Sequence, residues 1–496
     1  MRSNRTCGIL LHPTSLPSRY GIGDLGQEAY DFVDFLHRSK QKMWQILPLN
    51  PPGYGQSPFQ CFSAFAGNPL LISLDKLVEA GLLTHQDAAH TPVFSEEKVQ
   101  FDPVAEYKYS LLRKAFGNFQ TRPQSEAYIK FVQNTPWLKD YALFMSLKDY
   151  FGGVAWNHWD KAIALREKQA LRRFENLLRE EIAYYQFLQF IFFQQWQDLK
   201  AYANNKGIKI IGDLPIFISY DSSDAWANPR LFELDELGNP AKVAGVPPDY
   251  FSETGQLWGN PHYRWREMEK DDFKWWRERF KNLLAIVDVV RIDHFRGFEA
   301  YWEIPAGEET AINGRWVKGP GEKLFRSIQR HLGDIPVIAE DLGVITPEVE
   351  ELKNKFNFPG MKILQFNLHP WEKEEFLPHN YEHHAVVYTG THDNDTTLGW
   401  YQKITDPKHL KFLQEYLKLD KDHSEQDICW RMIELAYRTR TNTVIIPLQD
   451  VLCLGSEARM NFPGTVDGNW QWRFKKGSLT PAIAERLSRL AVSCHR

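Results

Sequence analysis

The chain of 496 residues carries 59 Lys and Arg against 63 Asp and Glu, a formal charge of -4, and has no basic block of the kind that binds nucleic acid. Its 5 scattered cysteines argue against a disulfide or zinc framework and predict a reducing, cytoplasmic location. No apolar stretch is long enough to predict a membrane span. We expect a neutral partner, and a monomer or weak homo-oligomer.

Short runs rich in Val, Ile and Leu, bounded by turn residues, predict eight strands. They are GILLHP (8–13), MWQILPL (43–49), IKIIGDLPIF (208–217), IVDVVRIDHF (286–295), IPVIAEDL (335–342), MKILQFNL (361–368), AVVYTGTHD (385–393) and NTVIIPLQDVL (442–452). Their upstream halves are almost continuously apolar, as in parallel strands buried on both faces. Since eight such strands close a parallel barrel, we predict a (β/α)8 TIM barrel in a single catalytic domain, residues 1–496.

Helix-like segments lie between most of the runs. Examples are 27–38, 170–204, 321–332 and 347–356. Two connections are too long for simple crossovers and predict insertions after the second and third strands. The first, about 50–207, is largely helical, and the second, about 218–270, is rich in Gly, Pro, Asn and aromatic residues. No β domain is expected after the eighth strand.

Polar residues gather at the downstream ends of the later runs. They are Asp213, Arg291, Asp293, Glu340, Asp341, Gln365, Asn367, His392, Asp393, Gln449 and Asp450. The downstream ends of parallel barrel strands share one face, on which active sites of this architecture are built. The sequence therefore predicts an active site there. His379, His383 and His384 precede the seventh run on the opposite face, and we interpret them as surface residues rather than a metal site.

Strand alternation places Arg291 and Asp293 on one face of the fourth run. An arginine beside Asp293 favours the ionised carboxylate that a nucleophile needs. Glu340 ends the next strand and faces the charge of Asp293, which should raise the pKa of Glu340 and suit a general acid. Two carboxyl groups about 5 Å apart with such opposed environments are typical of retaining glycoside chemistry.

Two other interpretations stay open at this point. The acids could form structural salt bridges around the barrel rim. Alternatively, carboxylates on successive strands could hold Mg²⁺ in a metal-dependent barrel enzyme. Such an enzyme requires a lysine or histidine base at another strand end, and Lys362 lies too early in its run for that role.

The segment PPDYFSETGQLWGNPHY (247–263) interleaves aromatic and polar residues among Gly and Pro. Among them are Asp249, Tyr250, Phe251, Glu253, Gln256, Trp258 and Asn260. Aromatic faces stack on sugar rings while amides and carboxylates bind hydroxyls, so the composition predicts a carbohydrate site. The alternative is a loop packed by its own aromatic residues. Two further loops follow the second and eighth strands on the same face: 50–69, with Tyr54 and Ser57, and 461–473, which begins at Asn461.

Several ordered motifs resemble one known family. GDLPIF, VRIDHFRG, VIAEDLG and GTHDNDT resemble the four conserved segments of the α-amylase superclass. Together with LHPTSLP, GYGQSPFQ, PPDYFSETGQLWGNP, LQDVLCLGSEARMN and NWQWR, they resemble glycoside hydrolase family 77, the 4-α-glucanotransferases or amylomaltases. The likeness runs from residue 8 to about 474. It implies transfer of α-1,4-glucan segments between maltooligosaccharides, without a cofactor or a metal.

The resemblance also implies a role for each matching residue. Asp293 matches the nucleophile, Glu340 the general acid/base, and Asp393 the third carboxylate, which holds the hydroxyls of the sugar at the cleavage site. Asp393 is preferred to Asp395 because it directly follows His392. From the resemblance and the loops together, the residues expected to contact substrate are Tyr54, Ser57, Asp213, Asp249, Tyr250, Phe251, Glu253, Gln256, Trp258, Asn260, Arg291, His294, Phe366, His392 and Asn461.

The chain departs from the family pattern at two positions. Phe59 stands where the family has Tyr, and Cys61 where it has Ser. Phe59 keeps an aromatic face but lacks a hydroxyl, which puts sugar contacts at that position in doubt. An α-1,4-glucan hydrolase of the same superclass is the nearest alternative function.

Overall fold

The computed structural model describes residues 5–248 and 252–496. Within these ranges the strands are β1 (Thr6–Leu10), β2 (Met43–Ile46), β3 (Lys209–Pro215), β4 (Lys242–Val246), β5 (Gln256–Pro261), β6 (Val289–Asp293), β7 (Ala300–Pro305), β8 (Arg315–Lys318), β9 (Val337–Ala339), β10 (Gly360–Ile363), β11 (Ala385–Tyr388) and β12 (Thr443–Pro447). The α-helices are α1 (Gln27–Arg38), α2 (Leu74–Glu79), α3 (His85–Ala89), α4 (Phe101–Gln120), α5 (Glu126–Asn134), α6 (Leu138–Tyr150), α7 (Lys161–Ala164), α8 (Lys168–Leu177), α9 (Arg179–Asn205), α10 (Ser223–Ala227), α11 (Trp265–Lys270), α12 (Lys274–Ile286), α13 (Glu322–Leu332), α14 (Pro347–Lys355), α15 (Leu364–Asn367), α16 (Thr397–Gln402), α17 (Pro407–Tyr416), α18 (Glu425–Arg438), α19 (Leu448–Val451) and α20 (Pro481–Ser493).

Eight strands form one parallel sheet in the order β10-β11-β12-β1-β2-β3-β6-β9. The two outer strands meet, because the backbone N–H of Ala339 in β9 donates to the carbonyl of Pro359, directly before β10, at 2.9 Å. The sheet is thus a closed (β/α)8 barrel, which confirms the predicted fold class. Each of the predicted runs overlaps one of these strands.

The barrel forms because its strands are apolar on both faces and its helices on one. Ile9, Val290 and Ile445, from three different strands, are fully buried. On α1, buried residues recur at Ala29, Phe32, Val33 and Leu36, the i, i+3, i+4, i+7 spacing of a helix packed on a core. Among the described helices, none combines the length and the hydrophobicity needed to cross a bilayer.

The connection from β2 to β3 contains helices α2 to α9. The longest, α9, is tied to the start of this connection by two buried glutamines. The side chain of Gln189 bonds the backbone N–H and carbonyl of Gly67 at 2.7 and 2.9 Å, and Gln195 bonds both groups of Ser73 at 2.7 and 3.2 Å. These bonds hold the segment around Gly67 and Ser73 against α9.

A second sheet stands beside the barrel, and it combines two connections. It is antiparallel, in the order β5-β4-β7-β8. β4 and β5 follow barrel strand β3, whereas β7 and β8 follow barrel strand β6. The sequence analysis described 218–270 as an aromatic loop and made no prediction for 300–318, so this sheet was missed.

Two predicted strands each continue into a short helix that was not predicted, and one predicted helix is divided in two. The run 361–368 becomes β10 followed directly by α15, and the run 442–452 becomes β12 followed by α19. Gln365, Asn367, Gln449 and Asp450 therefore lie on short helices just beyond the strands. Short apolar runs do not distinguish a strand from a helical turn by periodicity. The segment 170–204 is two helices, α8 and α9, which meet at Leu178.

Candidate active site

The end of β6 carries an arginine shared by two carboxylates. Arg291 and Asp213 are paired in the β3–β6 register, so their side chains leave the sheet beside each other. Nη1 of Arg291 lies 2.8 Å from Oδ2 of Asp213 and 3.2 Å from Oδ1 of Asp293. Arg291 and Asp213 are buried, whereas the Asp293 side chain is 29% exposed. The predicted interaction between Arg291 and Asp293 is therefore present, and it leaves the Asp293 side chain partly accessible.

Burial controls the ionisation of the inner pair. It raises the pKa of Asp213 to about 6, although the positive charge of Arg291 acts in the opposite direction. Burial alone would lower the pKa of Arg291, but the carboxylates of Asp213 and Asp293 raise it. The guanidinium thus stays charged. Oδ1 of Asp213 is buried without a hydrogen-bond partner among the described residues.

Glu340 directly follows β9, on the strand next to β6. Its carboxylate accepts the backbone N–H groups of His294 at 2.6 Å and Leu342 at 3.0 Å. Burial raises its pKa to about 8, with a further contribution from the negative charge of Asp293; Arg291 and the two N–H groups act in the opposite direction. The expected rise is present, but burial contributes more than the like charge that the sequence analysis invoked. The raised pKa of Glu340 favours the protonated form that a general acid requires.

His294 makes the turn that brings these groups together. It adopts a left-handed conformation, with φ of 52°, that non-glycine residues rarely occupy outside functional turns. This turn directs its N–H at Glu340. Burial lowers the pKa of its imidazole to about 3, and the charge of Arg296 adds to this effect, so the ring is neutral. The ring lies edge-on against Trp258, with ring centres 4.9 Å apart.

Asp393 lies on the loop after β11. Two side chains from the segment after β12 bind it, one at its carboxylate and one at its backbone carbonyl. Nδ2 of Asn461 donates to Oδ1 of Asp393 at 2.7 Å, and Arg459 donates to the Asp393 carbonyl at 2.6 Å. Nε2 of His392 lies 3.4 Å from the same Oδ1. The Asp393 side chain is 48% exposed. One carboxylate oxygen is therefore fixed, while much of the side chain stays accessible to solvent.

Asp395 was the alternative candidate for the third carboxylate, but its carboxylate is already bound by protein side chains. Its carboxylate accepts a hydrogen bond from Ser456 Oγ at 2.8 Å, pairs with Lys403, and is nearly buried. It has little acceptor capacity left for a sugar hydroxyl. The geometry therefore favours Asp393 over Asp395.

An aromatic stack covers His392. Phe59 lies parallel to its ring, with centres 4.9 Å apart and planes at 15°. Trp470 is tilted against both, at 5.9 Å from His392 and 5.8 Å from Phe59. The face that Phe59 presents is thus taken up by His392, and its missing hydroxyl does not disturb this contact.

Strand β5 forms a wall beside the end of β6, where Trp258 contacts His294. Gln256, Trp258 and Asn260 alternate along it and so share one face. Nε1 of Trp258 donates to Oε1 of Gln256 at 3.1 Å, which fixes the indole that packs on His294. Asn260 is buried and bonds both the Ile218 carbonyl, at 2.7 Å, and Gln60. Asn260 therefore connects this wall to the loop after β2.

The other predicted substrate residues lie around the rim. Tyr54 is 75% exposed, and Ser57 Oγ accepts the N–H of Phe59 at 3.2 Å. Glu253 is exposed, and Phe366 is partly buried on α15. Contact of these residues with a sugar stays a prediction. Asp249, Tyr250 and Phe251 lie outside the described residues.

Residues considered for a metal site are engaged elsewhere. His379, His383 and His384 are exposed and contact Glu374, the Arg440 carbonyl and the Asn357 carbonyl, respectively. Lys362 lies 3.7 Å from Glu382, and the buried Asp341 pairs with Lys353 at 2.6 Å. Across residues 5–248 and 252–496, no three His, Cys, Asp or Glu side chains are grouped so as to hold a metal ion.

Comparison with known proteins identifies the family. The family model for 4-alpha-glucanotransferase, glycoside hydrolase family 77, matches residues 11–480. The 4-alpha-glucanotransferase of Thermus thermophilus is 50% identical over 505 residues, covering 100% of both chains. That of Synechocystis is 50% identical over 495 residues, covering 98% of this chain and 97% of its own.

The chain belongs to the 4-α-glucanotransferase family. The sequence-based prediction of this activity is thus confirmed, and the hydrolase alternative is not favoured. A solved amylomaltase from Streptococcus agalactiae, in complex with acarbose, is 41% identical, with a TM-score of 0.96 over 99% of each chain. An amylomaltase from Corynebacterium glutamicum shares the fold at 18% identity, with a TM-score of 0.81 over 98% of this chain and 75% of its own.

The sequence analysis missed several groups that support the glucanotransferase site. Arg459 fixes the Asp393 carbonyl, and Tyr388 at the end of β11 donates to Gln45 on β2 at 2.8 Å. Gln45 was detectable as a polar residue inside an apolar run, and Arg459 as a charge two positions before Asn461. Asn461 was predicted to contact substrate, but its hydrogen bond to Asp393 was not predicted.

Proposed function

We propose that Asp293 and Glu340 transfer an α-1,4-glucan segment by double displacement with net retention. Asp293 attacks the anomeric carbon while Glu340 protonates the departing oxygen, which gives a glycosyl-Asp293 ester and a shortened glucan. The 4-hydroxyl of an acceptor glucan then displaces Asp293, and Glu340 accepts the acceptor's proton. The observation that carries this proposal is the pair of unlike carboxyls on neighbouring strands: Asp293 beside a guanidinium, and Glu340 with a pKa raised to about 8.

The two steps require opposite protonation of Glu340, and the geometry supports that change. The negative charge of Asp293 is one cause of the high pKa of Glu340. Once Asp293 is esterified that charge disappears, so the pKa of Glu340 should fall. A group that is an acid in the first step thereby becomes a base in the second.

Asp393, Asp213, Arg291, His294 and His392 are proposed to hold the sugar at the cleavage site. Asp393 offers an exposed carboxylate oxygen, and Asp213 a buried oxygen without a partner. Carboxylates that bind adjacent hydroxyls favour the distorted, oxocarbenium-like sugar of the transition state.

The wall formed by β5 and the rim residues is proposed to bind the acceptor. The residues assigned to the acceptor side are Tyr250, Phe251, Gln256, Trp258 and Asn260, with Ser57 and Phe366 nearby. Tyr54 is assigned to a second glucan-binding groove, and Asp249, Glu253 and Asn461 are proposed to contact substrate without assignment to the acceptor side. An indole packed on His294 excludes water from the side of the site next to Glu340 and offers a face for a sugar ring. A bound sugar hydroxyl then has a high effective concentration relative to water.

Trapping the intermediate tests these assignments. Glu340→Gln, given an α-maltosyl fluoride, should form the ester, because fluoride leaves without protonation, and should then accumulate it, because no base activates the acceptor. Mass spectrometry of proteolytic fragments should find the maltosyl group on Asp293. A label on another carboxylate would overturn the assignment. The matched variant Asp288→Asn changes the residue directly before β6, at the opposite end of the strand, and should neither trap the sugar nor lose activity.

Product analysis tests the balance between transfer and hydrolysis. With maltotriose alone, we expect glucose and longer oligomers at a constant number of reducing ends. Reducing ends that increase in step with glucose release would instead show hydrolysis. We also propose a cytoplasmic location, which the free state of the five cysteines supports.

A further inference from the structure

Asp450 lies outside the groups proposed to touch substrate, yet both oxygens of its carboxylate accept hydrogen bonds. It lies on α19, directly beyond barrel strand β12, and is buried. Its Oδ2 accepts the hydroxyls of Thr389 at 2.5 Å and Thr397 at 2.8 Å, and its Oδ1 accepts the backbone N–H of Thr397 at 2.7 Å.

The two threonines mark the two ends of one loop. Thr389 directly follows β11, and Thr397 is the first residue of α16. Both are fully buried. The segment between them, 390–396, contains His392 and Asp393. A single carboxylate therefore closes this segment at its base.

Hydrogen bonds within the loop also order its interior. Oδ1 of Asn394 accepts the N–H and the hydroxyl of Thr391 at 2.8 and 2.9 Å, and the N–H of Asp393 donates to Thr391 Oγ1 at 3.3 Å. These bonds make the tip compact. The position of the tip relative to the barrel depends on the anchors at Thr389 and Thr397 together with the bonds that Asn461 and Arg459 donate to Asp393.

We propose that Asp450 is a positioning residue of the transfer reaction, which holds Asp393 in register with Asp293 and Glu340 by fixing both ends of the 389–397 loop. This inference rests on the proposed role of Asp393. A displacement of about 1 Å in a catalytic group can cost about 100-fold in rate. Burial makes the tether stiff, since its hydrogen bonds do not compete with water.

The sharpest test is a pair of substitutions at Thr397. Thr397→Val keeps the size of the side chain but removes the hydroxyl, whereas Thr397→Ser keeps the hydroxyl. We expect kcat on maltotriose to fall roughly 10-fold in the valine variant and to stay near the wild-type value in the serine variant, with KM little changed in both. Equal kcat in the two variants would overturn the proposal.

A second comparison separates positioning from general stability. Asp450→Asn should lower kcat roughly 10- to 100-fold. Asp24→Asn is the matched control, because Asp24 is also buried and accepts a hydroxyl, Ser18 Oγ at 3.1 Å, and a backbone N–H, Gly26 at 2.9 Å. It should lower the melting temperature without lowering the kcat of the folded fraction. If Asp450→Asn behaves in the same way, Asp450 has only a structural role.

An activated donor and a double variant show through which residue Asp450 acts. With α-maltotriosyl fluoride, the loss in Asp450→Asn should persist, because the fluoride relieves only the need for an acid. Adding Asp450→Asn to Asp393→Asn should cost little beyond Asp393→Asn alone; losses that multiply would overturn the proposal. If Asp393→Asn retains activity, the assignment of Asp393 fails. If Asp393→Asn is inactive but Thr397→Val is fully active, only the positioning role of Asp450 is refuted.

Discussion

The carboxylates of the site are held in two different ways. Asp293 and Glu340 end neighbouring barrel strands, and Glu340 is bound by two backbone N–H groups, those of His294 and Leu342. Asp393 lies on a loop and is bound by the side chain of Asn461, while its own side chain is 48% exposed. Strand geometry fixes the first pair, and side chains from distant segments fix the third group.

The difference teaches where substitutions can act. A backbone N–H is present whatever the side chain, so few substitutions can remove the donors to Glu340. The donor to Asp393 is a side-chain amide that one substitution deletes. Glu340 should therefore be sensitive mainly to its own replacement, whereas Asp293, which pairs with the side chain of Arg291, and the loop carboxylate Asp393 should also be sensitive to replacement of their neighbours.

The largest loss is expected when the nucleophile is removed. Asp293→Asn should lower kcat by about 10⁴-fold or more, because no other group can form the glycosyl ester. Binding of maltoheptaose, measured by calorimetry, should persist. Wild-type activity in this variant would sink the assignment of the strand-end pair.

Removing the general acid should cost less. Glu340→Gln is expected to lose about 10²- to 10⁴-fold in kcat on maltotriose. Ester formation from an α-glucosyl fluoride should be largely retained, because its leaving group needs no proton. Stopped-flow measurement of fluoride release checks this, and an equal loss with both donors would contradict the acid role.

Asp393→Asn should lower kcat by about 10²- to 10³-fold, through lost stabilisation of the transition-state sugar. Unlike Glu340→Gln, it should be slow with the fluoride donor as well. Asp395→Asn is the neighbouring comparison, expected to lower thermal stability with a smaller effect on kcat. The reverse ranking would show that the wrong loop carboxylate was chosen.

The raised pKa of Glu340 predicts the alkaline limb of the pH profile. The acid form is needed for the first step and is lost as pH rises through the folded-state pKa of about 8. Above that pH, kcat/KM for maltotriose should fall about tenfold per pH unit. A profile that is flat to pH 10 in a protein that remains folded would show that Glu340 is not the titrating acid.

The smallest effect tests the side-chain support of the loop carboxylate. Asn461→Ala removes one hydrogen bond to Asp393, at a partly exposed site, and should lower kcat about 3- to 10-fold. Asn313→Ala provides a control, because Asn313 also donates to an exposed carboxylate, Glu308 at 2.9 Å, but lies at the β7–β8 hairpin. Equal kcat values for the two variants would remove Asn461 from the description of the site.

The strand-end part of the site was predictable because residues at the downstream ends of parallel barrel strands lie together on one face of the barrel. Arg291, Asp293 and Glu340 follow apolar runs directly, and parallel strands end on one face. The resemblance supplied Asp393 in addition. The β5-β4-β7-β8 sheet was not predictable in the same way, because its strands pair segments separated by helices α11 and α12 and barrel strand β6. The side-chain network of Asp450, Arg459 and Asn461 depends on loop conformations that periodicity does not specify.

The antiparallel sheet beside the barrel draws on the chain before and after the nucleophile strand. β7 begins seven residues after Asp293, and it pairs with β4, which pairs with the Trp258 strand β5. The Trp258 strand and the nucleophile strand belong to different sheets, but they are connected through two antiparallel strand pairings and the short segment between β6 and β7. If this surface binds the acceptor as proposed, its preformed shape adds no ordering cost of its own when a flexible oligosaccharide binds. An acceptor that leaves can consequently be replaced by the next one while the glycosyl group remains on the protein.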